Sequence, residues 1–252
     1  MNTSARRILS KVPELTLAFW VIKIAATTLG ETGGDAVSMS MNLGYLIGTA
    51  IFAVVFLAAV CAQIKVKTFQ PILYWTTIIA TTTVGTTLAD FADRSLGIGY
   101  AGGSTMLFAL LLGSLFIWHR TLGSVSVNTV SSPKAEMFYW MTIMFSQTLG
   151  TALGDWTAGT AGLGYTGAAM VFSALLILVV VAYYATNFSR TLLFWAAFIL
   201  TRPLGAVVGD FLDKPVTAGG LALSRYSASA ALFAFILISI MLFKQRAAKA
   251  AH

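Results

Sequence analysis

Four segments of this chain share one frame: a tryptophan, nine residues, a glycine, four residues and an aspartate. They run Trp20–Gly30–Asp35, Trp75–Gly85–Asp90, Trp140–Gly150–Asp155 and Trp195–Gly205–Asp210. An aromatic residue precedes each tryptophan (Phe19, Tyr74, Tyr139, Phe194). Nine residues after the first three aspartates comes a glycine–tyrosine pair, at Gly44-Tyr45, Gly99-Tyr100 and Gly164-Tyr165. The fourth repeat departs from this, with Arg225-Tyr226 displaced by an insertion holding Thr217, Ala218, Gly219 and Gly220. A fixed internal period means one supersecondary unit copied and stacked, so the fold must place four copies equivalently.

Composition says in which solvent. Of 252 residues, 58% are hydrophobic and 10% are charged, with a mean hydropathy of +0.83. A soluble domain carries roughly 25% charged residues, so this chain has too few to cover a water-facing surface. A membrane helix needs about 20 mainly apolar residues, and eight such stretches fall at about 15–36, 44–64, 71–92, 98–118, 135–156, 163–184, 191–212 and 222–243. The expectation is an all-α, polytopic membrane protein: eight transmembrane helices as four tandem two-helix repeats (15–64, 71–118, 135–184, 191–243) in one membrane domain. The polar segment 119–134 reads as a cytoplasmic linker. Residues before Leu15 are polar and carry no secretory signal pattern, so the first apolar stretch reads as a retained helix.

Two helices per repeat bring all four units into the bilayer from one side. Lys and Arg in short loops set orientation. The side holding both termini carries eleven, among them Arg6, Arg7, Lys11, Lys249 and those at the linker, against Arg94, Lys214 and Arg225 on the other. Both termini are therefore expected in the cytoplasm. The net charge of +7 is then a topology signal set against anionic lipid, not a nucleic-acid footprint. The tryptophans begin the odd helices at the cytoplasmic interface, where amphipathic rings sit well. Fifteen residues on, at about 1.5 Å each, the aspartates lie in the outer half of the bilayer.

Steps of four return to nearly the same helix face. They give the columns Lys23–Thr27–Glu31–Asp35, Ile78–Thr82–Thr86–Asp90, Gln147–Thr151–Asp155 and Arg202–Ala206–Asp210. Each odd helix has a polar stripe and the even helices have almost none, which puts the odd helices around a central axis and the even ones outside. The frame glycines would let the odd helices approach closely. The candidate ion- or substrate-binding residues are Glu31, Asp35, Asp90, Asp155, Asp210, Thr27, Thr82, Lys23 and Arg202. Five carboxylates against two cations leave the stripes at a formal −3, which suits a bound cation. Glu31, Asp35, Asp90, Asp155 and Asp210 are the candidate metal ligands, oxygen donors fit for a hard divalent ion. Asp93 and Asp213, next to Arg94 and Lys214, read as solvated loop charges. Equally, four aspartates at helix ends would serve as a repeated structural cap. One cysteine (Cys61) and two histidines (His119, His252) exclude a disulfide and make a thiolate or imidazole metal centre poorly supported.

The pattern Lys23-x3-Thr27-Thr28-x-Gly30-Glu31-x3-Asp35, kept in degraded form in the other three repeats, resembles bacterial membrane-anchored proteins with a repeat of unknown function. The resemblance covers about 15–243. It implies a bacterial inner-membrane location and supplies no mechanism.

Three function classes follow. Transport or channel activity for a cation, a divalent metal or a proton-coupled one, suits the acidic stripes and the internal repeats. A ligand-binding, sensory or structural membrane protein is the alternative. An enzyme is not expected, because no nucleophile–base pair, His-Glu-x-x-His or Gly-x-Ser-x-Gly pattern occurs, and no cofactor is implied beyond a divalent cation. The partners expected are the lipid bilayer and a small ion or molecule, and a homo-oligomer is compatible with the architecture.

Overall fold

The frame folds into eight long helices: α1 (Leu17–Asp35), α2 (Gly44–Lys65), α3 (Pro71–Asp90), α4 (Tyr100–Leu122), α5 (Pro133–Asp155), α6 (Gly164–Ala185), α7 (Arg190–Asp213) and α8 (Arg225–Leu242). This is a computed structural model describing residues 10–248. Arg6, Arg7, Lys249 and His252 lie outside those residues. Prolines at the first turn open α3 and α5, where no backbone donor is missed. Thr16, Ser132 and Ser189 cap α1, α5 and α7 by accepting from Phe19, Ala135 and Leu192 backbone N–H groups. The threonine-rich odd helices stay apolar in effect because their hydroxyls bond back to the preceding turn, as Thr77 does to the Leu73 carbonyl at 2.7 Å and Thr83 to Ile79 at 2.8 Å.

The odd helices form a closed ring, α1 against α3, α3 against α5, α5 against α7 and α7 against α1. Two sets of contacts repeat around it. At the N-terminal ends of the odd helices, each repeat's leading aromatic packs on the next repeat's tryptophan. Phe19 meets Trp75 at 5.4 Å between ring centroids, Tyr74 meets Trp140 at 5.7 Å, Tyr139 meets Trp195 at 6.3 Å and Phe194 meets Trp20 at 6.0 Å. One turn past mid-helix, each frame glycine lies against a side chain of the next repeat: Gly30 against Thr82, Gly85 against Gln147, Gly150 against Arg202 and Gly205 against Thr27. Both cycles close from the fourth repeat onto the first, so the ring has pseudo-fourfold symmetry.

The even helices sit outside, each on the odd helix of the following repeat: α2 on α3, α4 on α5, α6 on α7 and α8 on α1. The repeat is thus not a self-contained hairpin. Its two helices part, and its second helix covers the next unit. The outer faces of α2, α4, α6 and α8 are rich in exposed Leu, Ile, Val and Phe, such as Leu46, Phe116, Ile177 and Met241. Among the described residues, five helices, the four even ones and α7, are long and apolar enough to cross a membrane. The other three, α1, α3 and α5, are rich in Thr and Gly and buried within the ring, so most of their polar side chains face protein.

The glycine–tyrosine element has a backbone cause. Gly44, Gly99 and Gly164 have φ of +76°, +79° and +62°, with open space where a Cβ would stand. Only the left-handed conformation, not crowding, requires glycine there. A π-helical turn follows each of the first three aspartates, at Ala36–Ser40, Phe91–Ser95 and Trp156–Thr160. In the fourth repeat α7 runs on to Asp213, and the insertion folds as a short 3₁₀ turn over Val216–Ala218.

Two expectations need correction. The tryptophans do not form a belt facing lipid: Trp75, Trp140 and Trp195 are at most 4% exposed and turn inward. With Trp118 they fill the ring's N-terminal end, because face-to-edge aromatic packing across four equivalent helices buries more ring area than an outer position. Nor is 119–134 merely a connecting loop. Val127 and Val130 are buried under the aromatic cluster, and the Trp195 Nε1 donates to the Val125 carbonyl at 3.0 Å. The chain ends join this cap through antiparallel backbone bonds between residues 10–14 and 246–248, and Lys11 pairs with Glu136 at 2.6 Å.

Candidate functional site

The four polar stripes meet inside the ring, and the nine candidate residues are all at most 8% exposed. They form layers along the axis. Nearest the aromatic end is a mainly apolar layer of Lys23, Ile78, Ile143 and Phe198, in which the Lys23 Nζ lies 4.2 Å from the Phe198 ring centroid. One turn on come Thr27, Thr82, Gln147 and Arg202, then Glu31, Thr86, Thr151 and Ala206, and last the four aspartates.

Arg202, on the fourth repeat, reaches the other three. Its Nη1 and Nη2 donate to Glu31 Oε2 at 3.1 and 3.0 Å, and Nη2 also donates to Thr86 Oγ1 at 2.6 Å and Thr151 Oγ1 at 2.5 Å. The Thr27 hydroxyl donates to the Ile24 and Thr201 carbonyls at 2.8 and 3.2 Å. The contact with Thr201 ties α1 to α7. The Thr82 hydroxyl rests against Gly30 and finds no hydrogen-bond partner in the protein.

At the aspartate end the sequence count of charges fails. Arg94, Lys214 and Arg225, read as outer-loop charges, fold back onto the carboxylates. Arg94 pairs with Asp90 of its own repeat at 2.9 Å and with Asp155 of the next at 3.2 Å. Lys214 does the same for Asp210, at 3.0 Å, and for Asp35 of the first repeat. Arg225 holds Asp213 at 2.9 Å and stands 3.7 Å from Asp35. Burial pulls the Arg94 and Lys214 cations down, but the carboxylates around them outweigh it and hold both above their ordinary values. Asp213 is correspondingly no solvated charge: it is 7% exposed. Asp93 is half-buried with an unpartnered Oδ1, and burial followed by the Asp155 charge pushes its carboxyl above the usual range.

Arg94 and Lys214 both stand four residues after a frame aspartate, where repeats one and three have Met39 and Gly159. That i,i+4 spacing was the available signal. The cations therefore clamp α3 to α5 and α7 to α1, and a pseudo-twofold is laid over the fourfold ring.

Six carboxylates at this end (Asp35, Asp90, Asp93, Asp155, Asp210, Asp213) face three cations, a surplus of three negative charges. Among the described residues, two carboxylate triples have ligand oxygens within 4.8 Å of one another: Glu31 with Asp35 and Asp90, and Asp35 with Asp210 and Asp213. Asp35 belongs to both, is fully buried, and keeps its Oδ1 without a hydrogen-bond partner. Asp155 belongs to neither and is held apart by Arg94. The five expected metal ligands thus do not form one shell; they divide around Asp35.

The fold and site define a helical, four-repeat protein with apolar outer helices of the multi-pass membrane kind and an ionisable interior. The repeat family described as Repeat of Unknown Function (DUF347) matches residues 18–69, 73–124, 138–189 and 193–248, and the chain belongs to that family. No curated protein and no solved structure matches it.

Proposed function

We propose that this chain is an inner-membrane carrier for a small cation, crossing the bilayer with all eight helices and with both termini in the cytoplasm. The observation that carries this is Asp35: one fully buried carboxylate shared by two carboxylate triples, inside a ring whose aspartate end keeps a surplus of negative charge. Ionisable groups within membrane segments are costly and mark ion pathways. In the membrane reading, the aromatic cluster and its cap close the cytoplasmic end, and the aspartates lie toward the outside.

The built-in cations give a mechanism. Lys214 and Arg94 occupy the carboxylates when no substrate is present, and an incoming cation takes their place. A divalent ion would find three carboxylate oxygens from Glu31, Asp35 and Asp90, or from Asp35, Asp210 and Asp213. With the ion in the first triple, Lys214 displaced from Asp35 still has Asp210 and Asp213, so no ammonium is stranded there. The test is flux into liposomes holding the purified protein, with Mn²⁺, Mg²⁺, Ca²⁺, Na⁺ and a proton gradient compared. Flux of one of these supports the carrier.

One observation favours the alternative of a structural or ligand-binding membrane protein: each frame aspartate already has a cation within 3.2 Å. Clamps of that kind lock a ring without moving anything. Absence of flux for every ion, with intact folding, would favour that reading.

A further inference from the structure

The inner half of the ring differs in charge from the aspartate end. Between the aromatic cluster and the Glu31–Arg202 pair lie two cations, Lys23 and Arg202, and one carboxylate, Glu31, a surplus of one positive charge. Both cationic side chains are fully buried. The Lys23 Nζ has no hydrogen-bond partner in the protein, and it lies over the Phe198 ring face. Arg202 spends its Nη atoms on Glu31, Thr86 and Thr151, yet its Nε is unpartnered. Gln147 is fully buried with both Nε2 and Oε1 unpartnered, and the Thr82 hydroxyl is likewise free. These groups lie within one helical turn, about 5.4 Å of axis.

We propose that this layer is a binding site for a small monovalent inorganic anion of halide size, held by Lys23, Gln147 and the Arg202 Nε. Donors dominate: three on the ammonium, two on the amide, one on Nε and one on the Thr82 hydroxyl, against the amide and hydroxyl oxygens as acceptors. A buried ammonium needs a counter-charge or several acceptors, and Glu31 is already taken up by Arg202 through both of its Nη atoms. Lys23, Gln147 and Arg202 are all fully buried, which favours a small occupant. The site lies on the far side of the Glu31–Arg202 pair from the aspartates, and its occupancy does not depend on transport.

The experiment is thermal unfolding of the whole purified protein in detergent, titrated with chloride or bromide against gluconate at constant ionic strength. The wild type should show a saturable rise in midpoint. In Lys23→Met the apparent affinity should fall at least tenfold, and in Gln147→Leu several-fold. A midpoint indifferent to halide, which would mean that water satisfies the layer, overturns the proposal. So does an unchanged halide response in Lys23→Met, which would place the ion elsewhere. Should Lys23→Met fail to fold, anomalous diffraction from bromide-grown wild-type crystals decides: a peak beside the Lys23 Nζ supports the site, and no peak there defeats it.

Discussion

Glu31 on α1 and Arg202 on α7 meet through two guanidinium hydrogen bonds of 3.0 and 3.1 Å, both side chains cut off from solvent at the centre of the ring. This pair separates the positive inner layer from the negative aspartate end. It also ties the first repeat to the last, while the Nη contacts to Thr86 and Thr151 draw in the second and third. A residue that reaches all four repeats polices ring closure.

Breaking a buried pair by removing one partner costs about 3–5 kcal/mol, because the other charge is left uncompensated. Glu31→Gln alone should lower the thermal midpoint in detergent by that amount of stability. The double variant Glu31→Gln with Arg202→Gln should recover more than half of the loss, since neither charge is then stranded. Additive losses would mean that the two residues do not act as a pair.

The frame glycines are held by close approach. A Cβ on Gly85 would lie 2.9 Å from the Gln147 backbone carbon, and one on Gly205 would lie 2.9 Å from that of Thr27. Backbone cannot step aside as a side chain can, so Gly85→Ala and Gly205→Ala should each cost about 1–3 kcal/mol or more. Gly113 on α4 has open space around it. Gly113→Ala should be neutral or stabilise by up to about 1 kcal/mol. Equal effects at all three positions would contradict the ring packing.

Asp93 tests the electrostatics at the aspartate end. Its folded carboxyl is raised above its ordinary value by burial and by Asp155, so the ionised form is disfavoured in the fold and lowers stability at pH 7. That penalty is present above the folded pKa and is relieved as pH falls through it. Asp93→Asn should therefore raise the midpoint at pH 7, and the gain should vanish below about pH 4, near the ordinary aspartate value. A gain that persists in acid would assign the effect to packing instead.

Orientation rests on the asymmetry of Lys and Arg. Cysteines placed at Ser95 and Thr160, both in the π-helical turns after the aspartates, in a chain lacking Cys61, should be labelled from outside intact cells. Labelling only after permeabilisation would invert the topology and turn the aspartates to the cytoplasm.

Much of this architecture was legible in the Trp–Gly–Asp frame. Equal spacing put Gly30, Gly85, Gly150 and Gly205 at one level, and polar stripes confined to alternate helices put those helices inside. The exchange of even helices between repeats was not legible, because the outer faces of α2, α4, α6 and α8 are uniformly apolar and carry no periodic mark of a partner. The inward aromatic cluster was missed because a tryptophan at a helix start suits either a lipid interface or a ring interior. At the site, the carboxylates were found but their counter-ions were not. Arg94 and Lys214 were assigned to loops by hydropathy, although an Asp-x3-Lys/Arg spacing continues the helical face by one turn. Asp35 could not be singled out, since its two triples depend on Asp213 and Asp90 approaching from different helices.

The measurement that bears most directly on the carrier is cation flux into proteoliposomes by wild type, Asp35→Asn and Asp93→Asn. Asparagine keeps the shape of aspartate and removes its charge, and Lys214 retains Asp210 as a partner, so Asp35→Asn should fold. The account predicts flux of a divalent cation or proton by the wild type, loss of at least tenfold in Asp35→Asn, and near-normal flux in Asp93→Asn. Flux undiminished by Asp35→Asn, or a wild type that moves none of these ions while remaining folded, would contradict it.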